Sequence, residues 1–177
     1  MMKSPDSKYK QIFIVGMPFS GKSSAGKKLA SKLKWEWMDS DKELEKIHAM
    51  SIPDIFAQKG ELLFRQWEKE WLEQHLEGEK RVISTGGGLP VFYNNMERML
   101  EQGLVVFLNT SVPVLADRSL LKNDRPMFEN LSTNAEERCT FLHQLRFDRI
   151  PFYGKAHLTV NSERELLEKV PELLGMH

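Results

Sequence analysis

Five short runs rich in β-branched or apolar residues alternate along the chain with longer segments of helical spacing. Ile12–Val15, Trp35–Asp39, Arg81–Thr85, Leu104–Leu108 and His157–Val160 read as buried parallel strands. The spacing predicts helices over Lys22–Leu33, Glu61–Leu76, Val91–Gln102, Val112–Leu121 and Glu136–Arg149, and a last one near Arg164–Leu174. Strand and helix in turn give an α/β fold, a parallel sheet with flanking helices. Two stretches interrupt the alternation. Residues 47–60 read as a helical insertion, and residues 122–134 are polar and lack a regular period.

Composition adjusts this picture little. A chain of 177 residues, 41% hydrophobic and 28% charged, can bury one sizeable core, so one domain over residues 1–177 is expected. Basic and acidic residues number 25 each, and no basic tail or amphipathic basic helix stands out. A small-molecule partner is therefore expected, with no nucleic acid and no membrane. Cys139 is the single cysteine, so a disulfide framework and a cysteine metal site are excluded, and the five histidines lack ligand spacing. A monomer in a reducing cytoplasm is the expectation, since no apolar stretch is long enough for an export signal or a spanning helix.

The first run leads into "GMPFSGKSS", Gly16–Ser24. Gly16 and Gly21 frame G-x-x-x-x-G-K-S, a loop that turns backbone N–H groups toward phosphate oxygens at the positive end of the next helix. Met17, Pro18, Phe19 and Ser20 form its crest, Lys22 reaches the β- and γ-phosphates, and Ser23 offers a hydroxyl to Mg²⁺. This motif alone does not separate a kinase from a switch or a motor.

Later segments discriminate. "DSD" closes the second strand, and alternation along an extended segment would place Asp39 and Asp41 on one side, at the carboxyl edge of the sheet. One carboxylate can attend to Mg²⁺ while the other orients or deprotonates an acceptor hydroxyl; the ordinary alternative is a cap, from Ser40 or Asp41, for a helix starting at Lys42. In "GELLFRQWE", Arg65 and Glu68 are spaced to pair on a helix, which by itself favours a solvated ion pair, and Trp67 and Trp71 read as packing residues. In "STGGGLP", Gly86, Gly87 and Gly88 follow an apolar strand directly, which makes sense where a ligand meets bare main chain. In "NDRP", Arg125 lies in the polar segment, as expected of a lid that brings a guanidinium to the transferred phosphoryl group. Beyond it, Pro151 should stop a helix and fix where Arg149 points.

In this order, the residues resemble shikimate kinase. The likeness rests on the Gly16–Ser23 loop, Asp39 with Asp41, Phe64, Arg65 and Glu68 as F-R-x-x-E, Gly86–Gly88, Arg125–Pro126, and Arg149, Pro151 and Tyr153 as R-x-P-x-Y. It implies a three-layer P-loop kinase of the nucleoside monophosphate kinase type, with a five-stranded parallel sheet, a substrate-binding insertion at about 42–76 and a lid at about 122–134. It implies ATP and Mg²⁺, and phosphorylation of the 3-hydroxyl of shikimate. Lys22, Asp41 and Arg125 would be catalytic. Asp41, Arg65, Gly86–Gly88 and Arg149 would bind shikimate, Phe56 and Phe64 would neighbour its ring, and Ser23 with Asp39 would serve the metal. The nucleotide would lie on residues 16–24, through Ser24, with Arg118 on its adenine side and Arg125 above. Shikimate is a small carboxylate bearing hydroxyls, and two arginines and an aspartate are the residue types it needs. The lid reads Arg-Pro-Met where the family usually has leucine, and Val160–Ser162 lacks the aspartate often found there. A gluconate kinase would share the loop but not the whole motif set, and a GTP switch would carry Asn-Lys-x-Asp, which is absent.

Overall fold

The computed structural model describes residues 9–121 and 134–176. Five strands, β1 Gln11–Val15, β2 Glu36–Asp39, β3 Arg81–Ser84, β4 Leu104–Leu108 and β5 Leu158–Val160, form one sheet in the order β2-β3-β1-β4-β5. Every neighbouring pair is parallel. Ile12 and Ile14 face one side of β1 with Ala25 and Leu29 of α1 (Lys22–Leu33) and Leu166 and Val170 of α8 (Glu163–Leu173). Phe13 and Val15 face the other side with Leu72, Met96, Leu115 and Leu142, from α4 (Glu61–His75), α5 (Asn95–Gln102), α6 (Val112–Leu121) and α7 (Ala135–Tyr153). The predicted three layers follow from this alternation.

The sheet order fixes where a ligand can go. From β1 the chain passes outward to β2, and later returns across β1 to reach β4, so a crevice opens beyond the carboxyl ends of β1, β3 and β4. Ser84 is level with Ile14 on one side and Asp39 on the other, which brings the ends of three strands to one edge.

Between β2 and β3 lie α2 (Ser40–His48), α3 (Ile52–Lys59) and α4, and α3 meets α4 at Gly60. Gly60 caps both: its N–H donates to Phe56 O at 3.1 Å and its φ of 83° starts α4 in a new direction. That φ favours glycine.

Three local expectations are corrected. β2 ends at Asp39 and α2 begins at Ser40, so Asp41 is helical and strand alternation does not relate it to Asp39. Asp39 is itself the cap, accepting from Lys42 N at 3.3 Å. The helix expected from Val91 is a 3-10 turn, Leu89–Val91, followed by left-handed Tyr93 and Asn94, and α5 starts only at Asn95. Pro151 does not stop α7, which runs to Tyr153. Proline removes one donor, but the turn survives because Gly154 N donates to Ile150 O at 2.9 Å and the buried Tyr153 anchors the end.

Gly26 on α1 sits against β2 and β3, where an added Cβ would strike Ser84 Oγ and come within 3.0 Å of Trp37 Nε1. The gain in helix propensity is smaller than this overpacking, so Gly26→Ala is expected to lower unfolding free energy by about 1–2 kcal/mol in urea denaturation.

Candidate active site

The loop between β1 and α1 packs its lysine into its own main chain. Lys22, 8% exposed, donates through Nζ to Gly16 O at 3.0 Å and Met17 O at 2.7 Å. Thr110 Oγ1 donates to Ser20 O and Arg118 Nη1 to Phe19 O, each at 3.0 Å, so β4's end and α6 hold the crest from behind. Ser23 Oγ donates to Asp39 Oδ2, which ties the start of α1 to the end of β2. Trp37 Nε1 donates to Ser84 Oγ, which in turn donates to Lys22 O. The open cleft here, about 950 Å³, is lined by Lys22, Ser23, Asp39, Asp41, Arg118 and Asn161 among others. Arg118 thus lies on the cleft. Arg125 and the rest of the expected lid up to Thr133 lie outside the described residues.

A second hollow adjoins the first. Asp41, Phe56, Phe64, Arg65, Glu68, Gly87, Gly88 and Arg149 line it, and Asp41 lines both. Residues 42–76 supply Phe56, Phe64, Arg65 and Glu68, the start of α2 supplies Asp41, and α7 supplies Arg149.

The three glycines have a use that the sequence reading did not supply. A Cβ at Gly86 would strike Asp41 Oδ1, one at Gly87 would lie 2.8 Å from Arg149 Nη1, and one at Gly88 would fall on the Arg65 guanidinium. Each glycine makes room for a charged side chain from another element. The turn is tied at two points, where Gly86 N donates to Ser40 Oγ at 2.7 Å and Tyr153 Oη donates to Gly87 O at 2.6 Å.

Arg65 and Glu68 do pair, at 2.7 Å between Nη1 and Oε2, but both are buried rather than solvated. Glu61, which sequence reasoning missed, also accepts from Arg65, from Nε at 3.1 Å and Nη2 at 2.9 Å. Its position one turn before Arg65 was the available signal. The rings of Phe56 and Phe64 lie 4.9 Å apart beside the guanidinium. Trp71 is in the core and Trp67 stacks on His48, so both are packing residues.

Charge in this hollow is balanced by contact. Burial opposes the Arg65 charge, but Glu68 and Glu61 outweigh it and hold the guanidinium ionised. Burial lifts the Glu68 carboxyl from 4.5 to about 7; Asp41 adds to the lift, while Arg65 and Arg149 oppose it. Burial also raises the Tyr153 phenol, which keeps its proton for Gly87 O. Arg149 is buried, and its Nη1 has no acceptor in the described protein. The hollow therefore offers donors to an anion and a carboxylate to a hydroxyl.

The shikimate kinase family model matches residues 18–174. A shikimate kinase of Parabacteroides distasonis is 39% identical over 160 residues, covering 90% of this chain and 91% of that protein. The chain belongs to the shikimate kinase family. Among solved structures, a shikimate kinase from Bacteroides thetaiotaomicron matches with a TM-score of 0.86 at 33% identity, over 94% of this chain and 98% of that one. The shikimate kinase from Acinetobacter baumannii in complex with shikimate matches with a TM-score of 0.85 at 31% identity, over 94% and 93%. Within this shikimate kinase fold, Lys22 and Asp41 line the cleft, Asp41, Arg65, Gly87, Gly88 and Arg149 line the adjoining hollow, and Gly86 lies against Asp41.

Glu68 makes a pH test possible. Its carboxyl binds a proton more tightly folded than unfolded, so this group has no effect on stability below pH 4.5, destabilises increasingly up to about pH 7, and changes nothing beyond. Measured by denaturation at each pH, the stability of wild type relative to Glu68→Gln is expected to fall by up to about 3 kcal/mol across that window. A difference independent of pH would mean that Glu68 titrates normally.

Proposed function

We propose that the protein transfers the γ-phosphoryl group of ATP to the 3-hydroxyl of shikimate, giving shikimate 3-phosphate and ADP. Family membership supports ATP as the donor and shikimate as the acceptor. The observation that carries the reading is the place of Asp41, on the boundary shared by the phosphate-binding cleft and the hollow lined by Arg65 and Arg149. An acceptor whose carboxylate lies on the arginines presents its hydroxyl to Asp41, with the phosphate loop across from it.

Each residue then has a role. Arg65, oriented by Glu68, and Arg149 take the substrate carboxylate, and Gly86–Gly88 keep that space open. Asp41 orients the hydroxyl and accepts its proton. The backbone N–H groups of the Gly16–Ser24 loop, Pro18 excepted, and Lys22 neutralise charge on the transferred phosphoryl group, Arg118 lies beside the nucleotide, and Arg125 completes the site from the lid. Ser23 and Asp39, a hydroxyl and a carboxylate already in contact on the cleft wall, are the hard oxygen donors that suit Mg²⁺. When bound, the ion would offset negative charge on the phosphate chain. The whole chain acts as one kinase domain, with residues 42–76 as its substrate-binding region. It works as a cytoplasmic monomer, binding neither nucleic acid nor membrane. Its zero formal net charge supports the lack of a nucleic-acid partner, and among the described residues no helix is long and apolar enough to cross a membrane.

A coupled ADP-release assay with shikimate, gluconate and no acceptor tests the reading. Turnover is expected with shikimate alone, and equal ADP release without an acceptor would overturn it. Lys22→Met should lower kcat about a hundredfold or more in a folded protein, because the charge that follows the phosphoryl group is lost. In Arg65→Lys the fork geometry is lost, and titration calorimetry should show shikimate binding weakened by about 1.5–3 kcal/mol with ATP binding nearly unchanged.

A further inference from the structure

Arg65 carries more internal carboxylate than its position requires. Glu68 accepts from Nη1, and a single oxygen of Glu61 lies within 3.1 Å of Nε and 2.9 Å of Nη2. That oxygen occupies the side edge of the guanidinium, one of the edges on which a carboxylate docks. The guanidinium carbon is 4.6 Å from the ring centre of Phe92, 5.3 Å from Phe64 and 5.6 Å from Phe56, so rings crowd it and polar ligands approach along its N–H edges.

The two carboxylates differ in freedom. The Glu68 side chain is 1% exposed and cannot leave without stranding a buried charge. The Glu61 side chain is 56% exposed and stands in the first turn of α4, where water and the helix N-terminus stabilise a carboxylate released from Arg65. The pair joins a buried guanidinium to a carboxylate that keeps much of its hydration, so a ligand with better geometry can replace Glu61 without stranding its charge.

Taking Arg65 as the receiver of the substrate carboxylate, we infer that Glu61 is an exchangeable internal competitor for that arginine. Its carboxylate covers the side edge until substrate arrives, and the substrate displaces or repels it on binding. Around the incoming anion stand Arg65 and Arg149 against Asp41, Glu68 and Glu61, so Glu61 also supplies repulsion. A simple carboxylate gains too little from Arg65 alone to overcome this. A ligand that also engages Arg149 and Asp41 gains enough, so Glu61 sharpens selection against small anions.

Steady-state kinetics of Glu61→Ala and Glu61→Gln, with Arg65→Lys alongside, test the inference. KM for shikimate is expected to fall about two- to fivefold in both Glu61 variants, with the gain in KM rather than kcat, given the modest strength of a pair whose carboxylate stays largely in water. Benzoate, a ring carboxylate without hydroxyls, should inhibit both variants at lower concentration than wild type. An unchanged or higher KM in Glu61→Ala overturns the inference and makes Glu61 a fixed holder of Arg65. If Arg65→Lys leaves KM for shikimate untouched, the carboxylate assignment itself has failed; if Arg65→Lys raises KM while Glu61→Ala does not lower it, only the role of Glu61 has.

Discussion

The charged side chains Asp41, Arg65 and Arg149 reach into one small buried hollow from α2, α4 and α7, and there is room for them only because residues 86–88 have no side chains. A buried charge carries a desolvation penalty of several kcal/mol unless it is paired and held. Glu68 pairs with Arg65, Ser40 and Tyr153 tie the glycine turn, and Tyr153 sits at the end of the same helix that carries Arg149. Displacing any one of these would move the others. The hollow is thus set before substrate arrives, which spares the reaction much of the reorganisation that a solvated site would require.

The sheet joins this hollow to the phosphate loop. Because β3 lies beside β1, the glycine turn leaves the sheet next to the loop, and Ser84, the last residue of β3, donates to the carbonyl of Lys22. Trp37 from β2 donates to the same serine, and Asp39 at the end of β2 meets Ser23. Three strands therefore position both halves through side chains one or two residues beyond or within their ends. The insertion can then vary the acceptor hollow while the loop stays attached to the core.

Much of this was legible in the sequence. The five strands were readable because they are short, apolar and bounded by turns, and the loop was readable because its spacing follows from phosphate geometry. Other features depend on tertiary contact. Glycines at 86–88 suggested a ligand against main chain, whereas the structure shows neighbouring side chains in the space that a Cβ would take. The Arg65–Glu68 spacing was visible, but its burial depends on distant neighbours such as Phe56 of α3 and Gly88 and Phe92 after β3. Periodicity ran a helix back to Val91 because it does not register left-handed residues such as Tyr93 and Asn94. Pro151 misled for a related reason, since a proline in the last turn removes one donor and the anchor at Tyr153 outweighs that loss.

The dependence of the arginine pocket on an empty Cβ position is best tested at Gly88, where an added Cβ would fall on the Arg65 guanidinium. Its φ of −86° is open to alanine, so Gly88→Ala adds a methyl group without backbone strain. Calorimetric titration of shikimate and of ATP into the folded variant separates the two halves of the site. Shikimate affinity is expected to fall about tenfold or more, the effect of losing one charged hydrogen bond, while ATP affinity stays near wild type. Unchanged shikimate affinity, or equal losses for both ligands, would contradict the claim that this glycine turn holds the acceptor site open.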